Sequence, residues 1–268
     1  MRYFPSTTHH PNKGISMSLN ESVRLENLAP GIAQIVIDRP ERHNAMTLDM
    51  YQALLSCINS CQQDSSVRAI LFKGSGGKSF ISGTDISYFE HFQKGEEGIV
   101  YEEFVEKVID AVERIPVPTI AVIEGWAVGG GLALATACDF RICSDGSNFG
   151  APIAKTLSNT LSSKNIARLV SALGVPRVKR ILLLAEYLSA QEATASGFVH
   201  ATYPSAELNS AALELASKLI KLSPITQEAV KESIRRIVVD QSTEDEDLIK
   251  KVYGSQAFRD GVAKFLKK

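Results

Sequence analysis

Two glycine-centred segments carry the clearest chemistry in the chain. In "GWAVGGGLALATACD" (125–139), Gly129, Gly130 and Gly131 run directly into Leu132–Ala137, a stretch of high helix propensity whose one polar side chain is Thr136. The first N–H groups of a helix have no intrahelical acceptor, and the positive end of the helix dipole favours negative charge. Glycines at that point let a ligand come close to the backbone. Tight packing of the helix on a strand is the competing reading, because small residues serve it equally. In "SFISGTDI" (79–86), Gly83 permits a sharp turn that presents the N–H of Thr84 to a cleft. Together the two sites are far more specific than either alone. A third glycine run, "GSGGKS" (74–79), lacks the spacing of a phosphate-binding loop, since the position five before Gly77 is Phe72, and it reads as a surface turn.

These segments need elements to hold them. "IAQIVID" (32–38) reads as a strand ending at Arg39-Pro40, and Thr47 as the cap of a helix with apolar positions Met50, Leu54, Leu55, Ile58 and Cys61. "RAILFK" (68–73), "PTIAVIEG" (from Pro118) and "DFRICS" (from Asp139) read as further strands, with a helix through Phe104, Val108, Ile109 and Val112 between the first two. Alternation of strands and helices to about residue 150 predicts an α/β domain with at least partly parallel pairing. Beyond it the pattern is almost wholly helical. Ser189 with Glu192 and Thr243 with Glu246 have capping-box spacing, and Ser223-Pro224 places a cap before a first-turn proline.

Composition narrows the function. The chain has 268 residues, enough for a sizeable core, and its 29 basic and 30 acidic side chains create no global field for nucleic acid or an anionic membrane. Cys57, Cys61, Cys138 and Cys143 lack zinc-site spacing and histidine partners, so no metal site is expected, and they read as buried thiols in a reducing compartment. No apolar run spans a bilayer, and the N-terminus has no apolar signal core, which points to a cytoplasmic protein. The leader "MRYFPSTTHHPNKGIS" is basic and rich in Ser and Thr, so organelle targeting and a start at Met17 stay open.

The chain resembles the crotonase (enoyl-CoA hydratase/isomerase) superfamily. The resemblance runs from about Val23 to Leu266 and is carried by "RPERHNAM", "SFISGTDI", "VPTIAVIEGWAVGGGLALATACDFRI", "NFGAPI" and "LSAQEATASGFVHATYP". It implies a spiral of ββα units over 21–203, after a leader at 1–20, and a C-terminal helical region at 204–268 used in trimerisation, as a homotrimer or dimer of trimers. It implies a coenzyme A thioester as substrate with no permanently bound cofactor. Carried onto matching positions, the oxyanion hole falls on the N–H groups of Thr84 and Gly130, and coenzyme contacts fall on Arg42, His43, Ser82, Asp85 and Ile86. On the closing helix, Phe258 and Lys264 are the nearest matches to an aromatic and a lysine that approach the coenzyme of the same or an adjacent subunit.

The resemblance breaks at the acid and base. The two glutamates of a hydratase are expected at positions that hold Ala133 and Ile153 here, and neither side chain moves protons. Replacement candidates are His91, Glu102 and Glu103, with Glu90, Lys155, Thr156, Ser158 and Asn159 also near the expected acyl pocket; His91 stands out because an imidazole titrates near neutrality. Asp85 and Asp139 read as structural hydrogen-bond acceptors rather than bases. The leading reading is therefore an acyl-CoA enzyme that stabilises a thioester enolate without the two-glutamate hydration mechanism. A catalytically silent acyl-CoA-binding subunit is the alternative. A serine peptidase on the related spiral lacks a serine after Gly131, and RNA binding draws no support from the charge balance.

Overall fold

A computed structural model describes residues 22–267; the leader and its targeting reading lie outside the described residues. Among the described residues, ten strands form two sheets. The larger has the order β1-β2-β3-β5-β7-β10, with β1 (Val23–Ala29), β2 (Ile32–Ile37), β3 (Ala69–Gly74), β5 (Thr119–Ile123), β7 (Phe140–Ser144) and β10 (Ala201–Tyr203). The smaller has the order β4-β6-β8-β9, with β4 (Ser79–Ile81), β6 (Trp126–Val128), β8 (Asn148–Gly150) and β9 (Leu188–Ser189). Pairing is parallel except for β1 with β2 and β8 with β9.

The chain climbs by repeating one unit. A strand of the large sheet turns a corner into a strand of the small sheet and then enters a helix: β3, β4 and α2 (Gly95–Glu113), then β5, β6 and α3 (Gly130–Ala137), then β7, β8 and α4 (Ser163–Leu173). The corners require glycine: a Cβ on Gly74 would lie 2.2 Å from the Phe80 carbonyl oxygen, and one on Gly125 would lie 2.0 Å from that of Lys78. This is the spiral of ββα units expected from the resemblance.

Strand residues of the large sheet are apolar on both faces. Ile35, Ile37, Ile70, Phe72, Ala121 and Ile123 point to the main core, shared with α1 (Leu48–Gln63), α2 and α3. The intervening Ile32, Ala69, Leu71, Ile120, Val122 and Ile142 point outward, beneath Leu208, Ala212, Ala216 and Leu219 of α7 (Ser205–Leu219). Double-sided burial explains why the strands read as continuous apolar runs, as parallel strands do.

Several local expectations hold in the structure. Thr47 caps α1 by accepting from the Met50 N–H, Ser189 and Glu192 close a capping box on α6 (Ala190–Ala195), and Ser223 caps α8 (Pro224–Arg235). The box at Thr243 and Glu246 does not form: Asp245 occupies the N-cap of α9 (Glu246–Tyr253), so Glu246 is its first residue rather than its third. The region after 150 is helical but also supplies β9, antiparallel to β8, and β10, which pairs in parallel with β7 at the sheet edge. A short α5 (Val175–Leu183) and the closing α10 (Gln256–Leu266) complete the chain.

Candidate active site

Strands β4 and β6 are parallel neighbours, with Ser79 opposite Trp126 and Ile81 opposite Ala127. Their C-terminal ends therefore open side by side, where parallel sheets hold ligands. One end delivers Ser82–Gly83–Thr84 and the other Gly129–Gly130, so the two glycine motifs meet: a Cβ on Gly83 would lie 3.7 Å from the Gly130 nitrogen. Gly83 has φ +106° and Gly129 φ +55°, conformations that side chains resist. Gly131 serves the competing purpose, because a Cβ there would come within 2.0 Å of the Ile81 carbonyl oxygen. Both readings of the triplet hold, at successive residues.

The Thr84 loop is fixed from beneath. The Met46 N–H donates to the Gly83 carbonyl at 2.8 Å and the Asp85 N–H donates to that of Met46 at 2.9 Å, leaving the intervening Thr84 N–H without an acceptor among the described residues. Gly130 is the first residue of α3, so its N–H is likewise outside the helical ladder. Arg39 Nη1 donates to the Ala45 carbonyl at 3.0 Å and to Asp85 Oδ2 at 2.6 Å. That bond, helped by Ser87, holds the Asp85 carboxyl down at about 2. Buried Asn44, at φ +58°, accepts from the Arg39 N–H and donates to the carbonyls of Ser75 and Ser79.

The coenzyme candidates divide. Arg42 and His43 are exposed on the turn that Arg39 and Asn44 hold, and Ser82, Asp85 and Ile86 lie on the adjoining loop, joined to it through the Met46–Thr84 bridge. Phe258 and Lys264 are on α10, where the Phe258 ring packs on Tyr253 at 4.8 Å and lines a groove with Thr226 and Ile225. No described contact brings either to the glycine cleft of its own chain.

Acid and base candidates divide too. His91, Glu90, Glu103, Lys155, Thr156, Ser158 and Asn159 are exposed. Glu102 alone is half-buried; its Oε2 accepts the Ser162 N–H at 2.7 Å, and burial raises its pKa against that bond. Ala133 is buried and Ile153 half-buried. Asp139 accepts from the Thr119 N–H and hydroxyl at 2.7 and 2.9 Å and pairs with Lys231, as a structural acceptor does.

Sequence reasoning passed over Tyr51. Its hydroxyl contacts Thr84 Oγ1 at 2.9 Å, and Thr84 Oγ1 contacts the Tyr101 hydroxyl at 2.6 Å. A Cβ on Gly130 would lie 2.8 Å from the Tyr51 oxygen, which places that hydroxyl against the helix entrance. Tyr51 falls three residues before Leu54 and seven before Ile58 on the apolar stripe of α1. A phenol on a buried face demands a partner, and that was the available signal. A separate cavity of about 500 Å³ between α4 and α8 contains none of these groups; its lining includes Arg168 and Lys231.

This architecture, a spiral of ββα units with two glycine turns gathered at the ends of adjacent strands, is that of the crotonase class. A family model described as enoyl-CoA hydratase/isomerase matches residues 27–268. The short-chain-enoyl-CoA hydratase of Clostridium acetobutylicum is 32% identical over 205 residues, covering 76% of this chain and 78% of that protein. The crotonyl-CoA hydratase of Syntrophomonas wolfei is 27% identical over 241 residues, covering 88% and 92%. The crystal structure of an enoyl-CoA hydratase from Bacillus anthracis superposes with a TM-score of 0.82 at 27% identity, covering 92% and 96% of the two chains. The chain belongs to the enoyl-CoA hydratase/isomerase family of the crotonase superfamily. No helix among the described residues is long and apolar enough to cross a membrane.

Proposed function

We propose that this chain binds a CoA thioester with its carbonyl oxygen between the N–H groups of Thr84 and Gly130, and that it forms an enolate there without the two-glutamate hydration mechanism. The observation that carries this reading is the meeting of the Gly83 and Gly129–Gly130 turns at the ends of adjacent parallel strands, where the N–H groups of Thr84 and Gly130 have no acceptor among the described residues. Enolisation moves charge onto the carbonyl oxygen, and each preorganised donor in such a cleft contributes on the order of 3 kcal/mol in acyl-transfer enzymes. Ala133 and Ile153 remove the usual acid and base, and Glu102 takes the role of base because it is half-buried while His91 and Glu103 face solvent.

Arg42, His43, Ser82, Asp85 and Ile86 border the coenzyme in this reading, and no permanently bound cofactor is required. The helices of 204–268 mediate a homotrimer or dimer of trimers, with Phe258 and Lys264 reaching a neighbouring subunit's coenzyme. Four buried free thiols support a cytoplasmic location. The test is calorimetric titration with short, branched and aromatic acyl-CoAs, followed by incubation of those that bind in D₂O with mass detection. Binding with deuterium uptake or a new product is the expected result. Absence of binding across the panel overturns the reading, and binding without turnover identifies a silent acyl-CoA-binding subunit.

A further inference from the structure

We propose that the Tyr51, Thr84 and Tyr101 hydroxyls form a proton relay in which Tyr51 is the acid that protonates the enolised thioester. The inference rests on the thioester reading above and names the group that stands in for a missing glutamate.

Three observations lead to it. The hydroxyls form a chain with contacts of 2.9 and 2.6 Å, and two contacts use two of the three O–H protons. One proton is therefore left over, with no acceptor among the described residues. The Tyr51 end of the chain lies against Gly130, and the middle member belongs to the residue whose backbone N–H is the other donor. An enolate held by Thr84 and Gly130 would thus sit beside the end from which that proton can leave.

The surroundings suit an acid. Tyr51 is 2% exposed and edge-packed on Phe104 at 6.0 Å. Burial, with a smaller push from the Glu102 charge, raises its pKa to about 12 against the opposing bond to Thr84. Burial and the neighbouring Tyr51 and Glu102 also raise that of Tyr101. Both phenols stay neutral near pH 7 and keep a proton to give. A phenol is nonetheless far more acidic than the carbon acid that the enolate becomes, so the transfer runs downhill.

The step balances. Glu102 takes a proton from carbon and leaves the enolate, with its charge on the thioester oxygen. Tyr51 then gives its O–H proton to carbon, forming a C–H bond and a phenolate. Thr84 reprotonates Tyr51, Tyr101 reprotonates Thr84, half-buried Tyr101 takes a proton from solvent, and Glu102 releases its proton to solvent. No oxidant, reductant or second substrate is consumed.

The experiment follows α-proton exchange of butanoyl-CoA in D₂O by mass spectrometry, in the full chain and in Tyr51→Phe, Thr84→Val and Tyr101→Phe. Thr84→Val keeps the backbone N–H and deletes only the hydroxyl. Calorimetry reports butanoyl-CoA binding, and rates in H₂O/D₂O mixtures report how many protons move. The expected result is exchange slowed by roughly 10²-fold or more in Tyr51→Phe, with smaller losses in the other two and unchanged binding. The curved dependence on deuterium fraction should straighten in Thr84→Val. Wild-type exchange in all three variants with butanoyl-CoA bound would overturn the relay and leave the thioester reading intact. Failure of the wild-type chain to bind any acyl-CoA of the panel would overturn both, and binding of butanoyl-CoA without exchange in the wild-type chain would overturn the relay and identify a silent acyl-CoA-binding subunit.

Discussion

Along α2, the first half sets Tyr101 against Thr84, and the second half sets Glu106 and Glu113 around Arg168. At the second site every strong interaction is closed: Arg168, 3% exposed, donates to Glu113 at 2.9 Å, to both Glu106 oxygens at 2.8 and 3.0 Å and to Asn165 at 3.1 Å. One guanidinium nitrogen, Nη2, is left with only Asp110, at 3.8 Å. The first site has neutral hydroxyls, a spare proton and a glycine cleft beside it. Ion pairs pin α4 to α2, whereas the uncharged hydroxyls beside the glycine cleft stay available to a ligand. One helix thus serves as scaffold at one end and, in the proposed reading, as active-site wall at the other.

The comparison is broken most severely where both ends depend on the same packing. Gly131→Ala drives a Cβ into the Ile81 carbonyl, so α3 must separate from β4. The expected outcome is loss of soluble folded protein, or of cooperative melting by circular dichroism. Next comes the closed site: Arg168→Ala strands half-buried Glu106 and Glu113 and should cost about 3 kcal/mol in denaturant unfolding, while acyl-CoA affinity of the folded fraction stays unchanged. At the open site Glu102→Gln should reverse that pattern, with melting nearly unaffected and turnover reduced by roughly 10²-fold. Because burial raises the Glu102 pKa, the acid limb of the wild-type pH profile should lie above the range of an ordinary glutamate.

Alkaline pH weakens the whole fold. Tyr51 is held near 12 in the folded chain against 10 for an ordinary tyrosine, so the unfolded chain releases its proton first. Its contribution is complete below pH 10 and is lost as pH rises toward 12, by ~3 kcal/mol. The buried thiols of Cys61, Cys138 and Cys143, pushed up to about 12, begin a parallel loss near pH 9. Urea midpoints between pH 8 and 11 should fall, and Tyr51→Phe should flatten the upper part of the curve. Thr47→Ala, which deletes the cap on the Met50 N–H, should cost ~1 kcal/mol and mildly slow turnover by loosening the helix that carries Tyr51.

Much of this was written in local pattern. The large-sheet strands are apolar runs bounded by turns, and α1 announces itself through Thr47 and its apolar stripe, because each signal depends on neighbours in sequence. The glycine pair was legible for the same reason: Gly83 and Gly129 mark backbone conformations that few other residues tolerate. The corner strands β4, β6 and β8 are three residues long, too short for any periodicity, so their pairing came only with the structure. The hydroxyl chain joins residues 33 and 17 apart in sequence, and only the spiral brings α1, the Thr84 loop and α2 together. Thr243 with Glu246 shows the opposite failure, a correct spacing overruled when Asp245 started the helix.

The central claim is that the Thr84 and Gly130 N–H groups polarise a thioester carbonyl. Isotope-edited infrared difference spectroscopy of a bound acyl-CoA, labelled with ¹³C at the carbonyl carbon, reads this directly. Two hydrogen bonds to the oxygen weaken the C=O bond, so the predicted result is a shift of the thioester band to lower frequency on binding. A bound thioester whose carbonyl band stays at its solution frequency would contradict the account.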